Sequence, residues 1–302
     1  MTGPVSRIGI DLGGSKIELA AFGAEGQERF RKRVPTPQGD YQGTLTTLHD
    51  LVLEAEQELG HPATVGVGTP GSLSPLTGLV RNANSTCLNG QPFKQDLEAL
   101  LGREVRIAND ANCFTVSEAR DGAGAGADVI FGVILGTGVG GGLVVRGKLV
   151  AGANGIAGEW GHNPLPNPGA TDHAPPRCYC GRDGCVETYL SGPGLARDYR
   201  VATGRVSTPE AIVRGAEGGD QACSAALDRY EARLARSLAS VINVLDPDVI
   251  VLGGGLSNIR RLYENVPRLW IPHVFSDAVA TRLLLNRHGD SSGVRGAAWL
   301  WE

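Results

Sequence analysis

Three apolar segments of this chain each run directly into a glycine-rich turn, and this repeated pattern limits the folds that the sequence can adopt. The turns read DLGGSK (residues 11–16), LGTGVGGG (135–142) and LGGGLS (252–257). An apolar run that stops at glycines is typical of a buried strand ending at the edge of a sheet. Glycines let the backbone approach a phosphate and present several N–H donors to it. Each turn by itself is equally compatible with a plain hairpin.

Length, charge and motif spacing exclude several classes of protein. A chain of 302 residues predicts two core-forming lobes. The net charge of -4 gives no general attraction to phosphate backbones or anionic membranes, so neither nucleic acid nor a membrane is an expected partner. No turn has the spacing of a Walker loop or the context of a dinucleotide fold. Without a signal-peptide core or an apolar run of roughly 18 residues, we expect a soluble, cytoplasmic protein.

Strand and helix patterns alternate between the glycine turns, which is typical of sheets with crossing helices. Apolar residues at helical spacing predict one helix that ends at Gly60 and a longer one over 227–241. The small-residue segment 121–128 precedes a second strand-turn-strand unit, and its rough similarity to the first indicates an internal duplication.

The segment VRIANDANC places Asp110 where a strand gives way to a helix that continues to about residue 121. The simpler interpretation is a helix N-cap, a position that suits both Asn109 and Asp110. The functional interpretation is a general base that accepts a proton from a hydroxyl nucleophile. The segment alone favours the cap.

One imidazole and three thiols lie within a short span of the sequence: His162, Cys178, Cys180 and Cys185. This set is sufficient for a closed tetrahedral Cys₃His zinc site, and with four protein ligands no position remains for a catalytic water. We therefore predict a structural zinc. A redox pair is disfavoured because C-x-C followed by four residues is not C-x-x-C. The acidic charge and the lack of a basic helix after Cys185 disfavour a DNA-reading finger.

The order of the acidic residue that ends the first strand, the second glycine hairpin and the third glycine turn resembles the actin-like ATPase (ribonuclease H-like) fold of sugar kinases, Hsp70 and actin. The resemblance implies an α/β fold of two lobes with a nucleotide and sugar cleft between them. It also implies that the two hairpins hold the phosphates of ATP and that Asp11 holds Mg²⁺. Lys16 is equally compatible with a solvated hairpin lysine. The implied ATP and Mg²⁺ residues are Asp11, Gly13, Gly14, Ser15, Lys16, Gly136, Thr137, Gly138, Gly140, Gly253, Gly254 and Gly255.

The segments EWGH (159–162) and CYCGRDGCVE (178–187) resemble the zinc-bearing signature of the ROK family of repressors, open reading frames and sugar kinases. The similarity extends over essentially the whole chain. The two segments contain Glu159 and Glu187, and carboxylates accept hydrogen bonds well from neighbouring sugar hydroxyls. The simpler interpretation of these two glutamates is a solvated pair at the surface. By resemblance to the family's kinases, the sugar-binding residues are Asn84, Asn109, Asp110, Glu159, His162 and Glu187.

Two departures from the family pattern affect the functional prediction. Repressors of the family carry a helix-turn-helix before the first strand, whereas the first strand here begins at about Val5, so we expect a kinase. Cys87 stands where many members have tryptophan in an N-x-x-W pattern, which predicts a looser sugar pocket or a shifted preference.

The resemblance therefore implies an ATP-dependent hexose kinase that phosphorylates a 6-hydroxyl, with Asp110 as the base and with ATP, catalytic Mg²⁺ and structural Zn²⁺ as cofactors. Several segments are most similar to bacterial fructokinases of the mannose- and fructose-accepting kind, so we predict D-fructose as substrate. Kinases of glucose, mannose or N-acetylglucosamine are the alternatives, and a catalytically silent sugar-binding protein is the alternative from another class. We expect a homodimer, with a small lobe of residues 1–120 completed by a helix at about 290–302, and a large lobe of residues 121–289 carrying the zinc loop.

Overall fold

The computed structural model describes residues 6–83, 85–169, 171–172 and 174–301, with residue 290 described by its backbone only. Asn84, one of the sugar-binding residues implied by the sequence, lies outside the described residues. The strands are β1 (Arg7–Leu12), β2 (Lys16–Phe22), β3 (Glu28–Pro35), β4 (Thr64–Thr69), β5 (Ser72–Leu73), β6 (Val80–Arg81), β7 (Val105–Asn109), β8 (Val129–Leu135), β9 (Val139–Val145), β10 (Lys148–Leu149), β11 (Val249–Gly253) and β12 (Arg282–Leu285). The helices are α1 (Tyr41–Leu59), α2 (Phe93–Leu101), α3 (Asp110–Arg120), α4 (Glu187–Leu190), α5 (Gly192–Thr203), α6 (Pro209–Glu217), α7 (Gln221–Leu245), α8 (Leu262–Trp270) and α9 (Ser292–Ala298).

The first compact unit comprises Met1–Ala125, Gly142–Ala157 and Asp290–Glu302. Its main sheet has the strand order β3-β2-β1-β4-β7, in which β1, β4 and β7 run parallel. The predicted helix before Gly60 is present as α1, and it ends where Gly60 adopts a positive φ of 78°. Parallel strands buried on both faces need apolar side chains throughout, and residues of β1, β2 and β4 with α1 form the core of this unit.

Helix α9 closes the other face of the first sheet at very short range. A Cβ atom added to Gly66 on β4 would lie 1.9 Å from the backbone oxygen of Ala297, so no other residue fits there without moving the helix. The predicted closing helix is therefore present, although its helical turns end at Ala298 and a 3₁₀ turn follows over Trp299–Trp301. This packing makes the end of the chain part of the first unit.

The second compact unit comprises Gly126–Gly141 and Gly158–Gly289. Strands β8, β11 and β12 run parallel within a sheet of order β10-β9-β8-β11-β12. The predicted long helix is α7, whose face bearing Leu227, Leu234 and Leu238 is buried. In the part of the chain that the structure describes, no helix is both long and apolar enough to cross a membrane.

The boundaries of the two units differ from the predicted boundaries in two segments. Residues 121–125 and the longer segment 142–157 belong to the first unit, whereas the predicted large lobe contains both. Contacts explain the difference at the longer segment, because a guanidinium nitrogen of Arg81 donates to the backbone oxygen of Asn154 at 2.7 Å. A Cβ atom on Gly142 would lie 2.4 Å from the hydroxyl of Thr115 in α3. Both contacts join this segment to residues distant in the sequence, so the local pattern does not predict its place in the first unit.

Candidate functional site

Two of the predicted carboxylates lie at one edge of the first sheet. Asp11 is next to the last residue of β1, and Asp110 follows directly after β7. Since β1, β4 and β7 are parallel, their carboxyl ends meet at the same edge, which is where open α/β sheets bind ligands. The fold thus brings together two residues that are 99 positions apart in the sequence.

The electrostatic environment disfavours the ionised form of both carboxylates. Burial first, and then the negative charges of Asp110 and Glu18, raise the pKa of Asp11 to about 6, although Lys16 and Arg33 oppose the shift. Asp110 is open to solvent, but the surrounding protein removes enough hydration to raise its pKa as well. Hydrogen bonds from Ala111 and Asn109 limit that rise. Carboxylates held close together in this way fit a hard divalent cation such as Mg²⁺.

Replacing Asp11 by asparagine is expected to stabilise the folded chain at neutral pH in the absence of divalent cations. The folded pKa of about 6 lies above the ordinary value of 3.8, so ionised Asp11 destabilises the fold, and this cost appears as the pH rises from about 4 to 6. The free energy of unfolding of Asp11→Asn should exceed that of the wild type by about 1 to 2 kcal/mol at pH 7.5.

Urea unfolding at pH 7.5 and at pH 4 measures this difference. The two proteins should converge at pH 4, where the wild-type carboxyl is largely protonated, and Mg²⁺ should narrow the gap at pH 7.5 by stabilising only the wild type. Equal or lower stability of Asp11→Asn at pH 7.5 would contradict the assigned environment.

The side chain of Asn109 is held by the protein at both ends of its amide. Its oxygen accepts from the backbone N–H of Ala111 at 2.8 Å, which makes Asn109 the N-cap of α3, and its nitrogen donates to the oxygen of Gly71 at 3.1 Å. A side-chain hydrogen bond from Asn109 also reaches Asp110. The cap interpretation therefore holds for Asn109, and it leaves the neighbouring Asp110 open to solvent. Asn109 orients Asp110 and the loop after β4.

The first glycine turn is a tight hairpin between β1 and β2. The N–H of Gly13 donates to the oxygen of Lys16 at 3.0 Å, and Thr36 donates its hydroxyl to the oxygen of Gly13 at 2.7 Å. Gly14, Ser15 and Lys16 are exposed. The backbone N–H groups at the tip are therefore accessible to an anion beside Asp11.

The second and third glycine turns lie together in the second unit. Residues 136–138 follow β8 and residues 254–255 follow β11, two adjacent parallel strands. Gly254 has a φ of 78°, and a Cβ atom there would lie 2.5 Å from the oxygen of Leu135. Thr137, Gly254 and Gly255 are exposed at this edge. The arrangement presents backbone donors from both turns on one edge of one sheet.

The four predicted zinc ligands form one cluster, in which all ligand atoms lie within 4.8 Å of one another. The Nδ1 atom of His162 is 3.6 Å from the sulfur of Cys178, and the sulfurs of Cys180 and Cys185 are also 3.6 Å apart. Ligands about 2.0 to 2.3 Å from a common tetrahedral zinc are separated by similar distances, whereas disulfide sulfurs lie about 2.05 Å apart. The donor set and its spacing fit zinc and do not fit a disulfide.

A buried ionic network anchors the proline-rich loop between His162 and Cys178. Arg233 on α7 is only 1% exposed, and it donates to Asp172 of the loop and to Asp198 of α5, both at 2.7 Å. Arg236 contacts the second oxygen of Asp172 at 2.7 Å. Burial alone would raise the pKa of Asp172, but the hydrogen bond from Arg233 and the charge of Arg236 outweigh it and lower the pKa. The loop is thus held by α7 as well as by the cysteine cluster.

The two glutamates beside the cysteine cluster are held in different ways. Glu187, at the start of α4, accepts a hydrogen bond from the N–H of Val139 at 3.0 Å, which ties it to the second glycine turn. Glu159 is exposed. Loss of hydration, followed by the charges of Glu187 and Glu159, raises the pKa of Tyr179 to about 12, so both carboxylates act at this tyrosine. An open cavity of about 260 Å³ is lined here by Thr137, Cys178, Tyr179, Glu187, Ser191 and Arg197, among others.

The amino-acid sequence matches the model of one known protein family. The model of the ROK family matches residues 7–302, which is nearly the whole chain. The chain belongs to the ROK family. The glycine turns, the paired aspartates and the Cys₃His cluster of this ROK protein thus lie within one continuous match.

Individual relatives cover the chain equally well. An N-acetyl-D-glucosamine kinase of Pectobacterium atrosepticum is 42% identical over 296 residues, which cover 97% of each chain. The crystal structure of a ROK hexokinase from Thermus thermophilus has a TM-score of 0.87 and 30% identity, and covers 98% of this chain and 97% of its own. A ROK family glucokinase from Streptomyces griseus, solved with glucose and AMPPNP, has a TM-score of 0.76 and 26% identity over 98% of both chains. The predicted α/β, actin-like ATPase fold is confirmed.

The buried ionic network of this ROK protein was not among the predicted features, although the sequence contains a signal for it. The helix has arginines at spacings of four and three, between apolar residues of its buried face. They are Arg229, Arg233 and Arg236, and the apolar residues include Leu227, Leu234 and Leu238. A charged residue on a buried helical face requires a buried partner, so this spacing indicates an ionic anchor. Which carboxylates supply it follows only from the fold.

Proposed function

We propose that this chain is an ATP-dependent sugar kinase that phosphorylates the 6-hydroxyl of N-acetyl-D-glucosamine. The observation that carries the proposal is the position of Asp110. It is a solvent-open carboxylate with a raised pKa at the carboxyl edge of a parallel sheet, held by Asn109 and accompanied by Asp11. A raised pKa makes a carboxylate a stronger base toward a hydroxyl proton at neutral pH.

In the proposed reaction, Asp110 accepts the proton of the 6-hydroxyl as that oxygen attacks the γ-phosphorus, and the bond between the γ-phosphorus and the bridging oxygen breaks so that ADP leaves. Bound ATP would supply the phosphoryl group, and Mg²⁺ would neutralise charge on the phosphate oxygens. Asp11 would hold the cation, and N–H groups of the glycine turns at 13–15, 136–138 and 253–255 would bind phosphate oxygens and the nucleotide. The exposed residues of these turns are Gly14, Ser15, Thr137, Gly254 and Gly255. Asn109 keeps Asp110 in one orientation, so little reorganisation is needed when the proton moves.

In the second unit, Glu159 and Glu187 accept hydrogen bonds from sugar hydroxyls in this proposal, and the Cys₃His cluster binds one structural zinc. His162 is assigned to the metal through Nδ1, the atom that faces Cys178. Zinc would fix the ends of the loop that separates Glu159 from Glu187. A carboxylate left without a hydroxyl partner in a closed site is costly, so these residues would select the stereochemistry of the sugar.

The choice of sugar rests on the relatives. Motif similarity predicted D-fructose, and N-acetylglucosamine was one of the alternatives. Relatives that match nearly the whole chain at 42% identity include N-acetyl-D-glucosamine kinases from Pectobacterium and Yersinia, which supports the amino sugar. Cys87, which stands where many members of the family have tryptophan, packs against the core of the first unit. The homodimer and the cytoplasmic location stay predictions.

The test is a substrate panel with the purified protein, ATP and Mg²⁺. N-acetylglucosamine, N-acetylmannosamine, glucose, mannose and fructose are compared by kcat/KM from coupled ADP release. We expect N-acetylglucosamine to exceed every other sugar by about tenfold or more. A higher kcat/KM for fructose would replace this substrate by the one that the motifs predicted. Sugar binding without ADP release from any sugar would instead establish the silent binding protein.

A further inference from the structure

Tyr179, between the first two cysteines of the cluster, is a side chain that the proposed mechanism does not use. Its hydroxyl lies 3.0 Å from Nε2 of His162. The two rings meet edge to face, with centroids 5.2 Å apart and an interplanar angle of 85°. Nδ1, the other ring nitrogen of His162, faces the sulfur of Cys178. The imidazole is therefore contacted at both nitrogens, by a thiol on one side and by a phenol on the other.

The chemistry of a metal-ligating imidazole determines which atom donates and which accepts in this hydrogen bond. A histidine that binds zinc through Nδ1 carries its remaining proton on Nε2, so Nε2 can only donate. The hydroxyl of Tyr179 can accept that hydrogen bond. A hydrogen-bond partner on the second nitrogen fixes the orientation of a ligating histidine and strengthens its bond to the metal.

Because of its position in the sequence, Tyr179 loses little conformational entropy when it contacts His162. Its backbone is flanked by Cys178 and Cys180, both of which belong to the ligand set, and the N–H of Cys178 donates to the oxygen of Arg182 at 2.8 Å. A side chain whose backbone is already fixed loses little further conformational entropy when it forms a hydrogen bond. This holds although the side chain of Tyr179 is 78% exposed.

We propose that Tyr179 is a positioning residue for the metal site, which holds His162 in its ligating orientation by accepting a hydrogen bond from Nε2–H. Glu187 lines the same cavity, and both it and Glu159 act electrostatically on the phenol. Tyr179 thus lines the same cavity as Cys178 of the metal cluster and Glu187. The inference rests on the proposed zinc site and does not depend on which sugar is phosphorylated.

The experiment compares zinc-loaded wild type with Tyr179→Phe, which keeps the ring and removes the hydroxyl. The control is Tyr41→Phe, which removes a hydroxyl bound to Asp96 in the first unit. Transfer of zinc to a chromogenic chelator gives the affinity and the release rate of the metal. We expect the zinc affinity of Tyr179→Phe to be about tenfold weaker than that of the wild type. This is the lower end of the effect that hydrogen-bond partners of metal ligands have, because this tyrosine is largely exposed. The zinc affinity of the control should stay within twofold of the wild type.

A second readout separates positioning from a general loosening of the loop. Long-range ¹H–¹⁵N spectra of zinc-loaded protein should show the Nε2–H tautomer of His162, with that proton exchanging faster with solvent in Tyr179→Phe. Unchanged zinc affinity and unchanged proton exchange in this variant would overturn the inference. Wild-type protein that binds no zinc would remove the metal site itself, and a wild type that binds zinc without sugar turnover would remove only the kinase proposal.

Discussion

Replacing Asp110 by asparagine is expected to lower kcat by about 10² to 10⁴-fold while sugar affinity stays within about threefold. The amide has the shape of the carboxyl and can still accept from the N–H of Ala111, which Asp110 now contacts at 2.8 Å. It cannot take a proton from a hydroxyl, so the loss should fall on turnover. The measurements are steady-state kinetics with N-acetylglucosamine and calorimetric binding of the same sugar.

Asp220→Asn is the matched control for this substitution. Asp220 caps α7 and accepts from the N–H groups of Ala222 and Cys223, so the same chemical change is made at another helix start. It has no place in the proposed reaction, and its kcat should remain within twofold of wild type. Turnover above about a tenth of the wild-type value in Asp110→Asn would remove Asp110 from its role as base.

Replacing Arg233 by methionine is expected to lower the free energy of unfolding by about 3 kcal/mol. The side chain lies between Asp172 and Asp198, and its loss leaves two buried carboxylates with fewer partners. Arg236 still contacts Asp172 and Arg229 still contacts Asp198, which places the effect at the lower end of the range for broken buried pairs. Urea unfolding followed by circular dichroism measures the change.

Arg268→Met provides the comparison for an ion pair at the surface. Arg268 pairs with Glu264 one helical turn away, and both side chains are about 70% exposed. Such pairs contribute about 0.5 kcal/mol or less. A loss in Arg233→Met no larger than the loss in Arg268→Met would show that the buried network does not anchor the loop.

The sequence predicted those features that depend on local pattern. Glycine turns after apolar runs located the ends of β1, β8 and β11, and helical spacing located α1 and α7. The spacing of His162 and the three cysteines identified a cluster that the fold does bring together. These features could be predicted from the sequence because each is encoded within one short segment.

Features that depend on contacts between distant residues could not be predicted from the sequence in this way. The return of residues 142–157 to the first unit depends on Arg81 and Thr115, neither of which is near that segment in the sequence. The amide nitrogen of Asn109 donates a hydrogen bond to the backbone oxygen of Gly71, which lies 38 residues earlier in the sequence. The contact of Tyr179 with His162 needs the cluster to be folded before the phenol can reach the ring. In each case the partner is chosen by tertiary packing, which a single sequence does not display.

Phosphoryl transfer by the purified chain tests the central claim most directly. With ATP, Mg²⁺ and N-acetylglucosamine, the account predicts one ADP for each sugar phosphate formed, with phosphorus NMR placing the phosphate on the 6-oxygen. The rate should exceed that of Asp110→Asn by about 10²-fold or more. Sugar binding by calorimetry together with ADP release no faster than in Asp110→Asn would contradict the account.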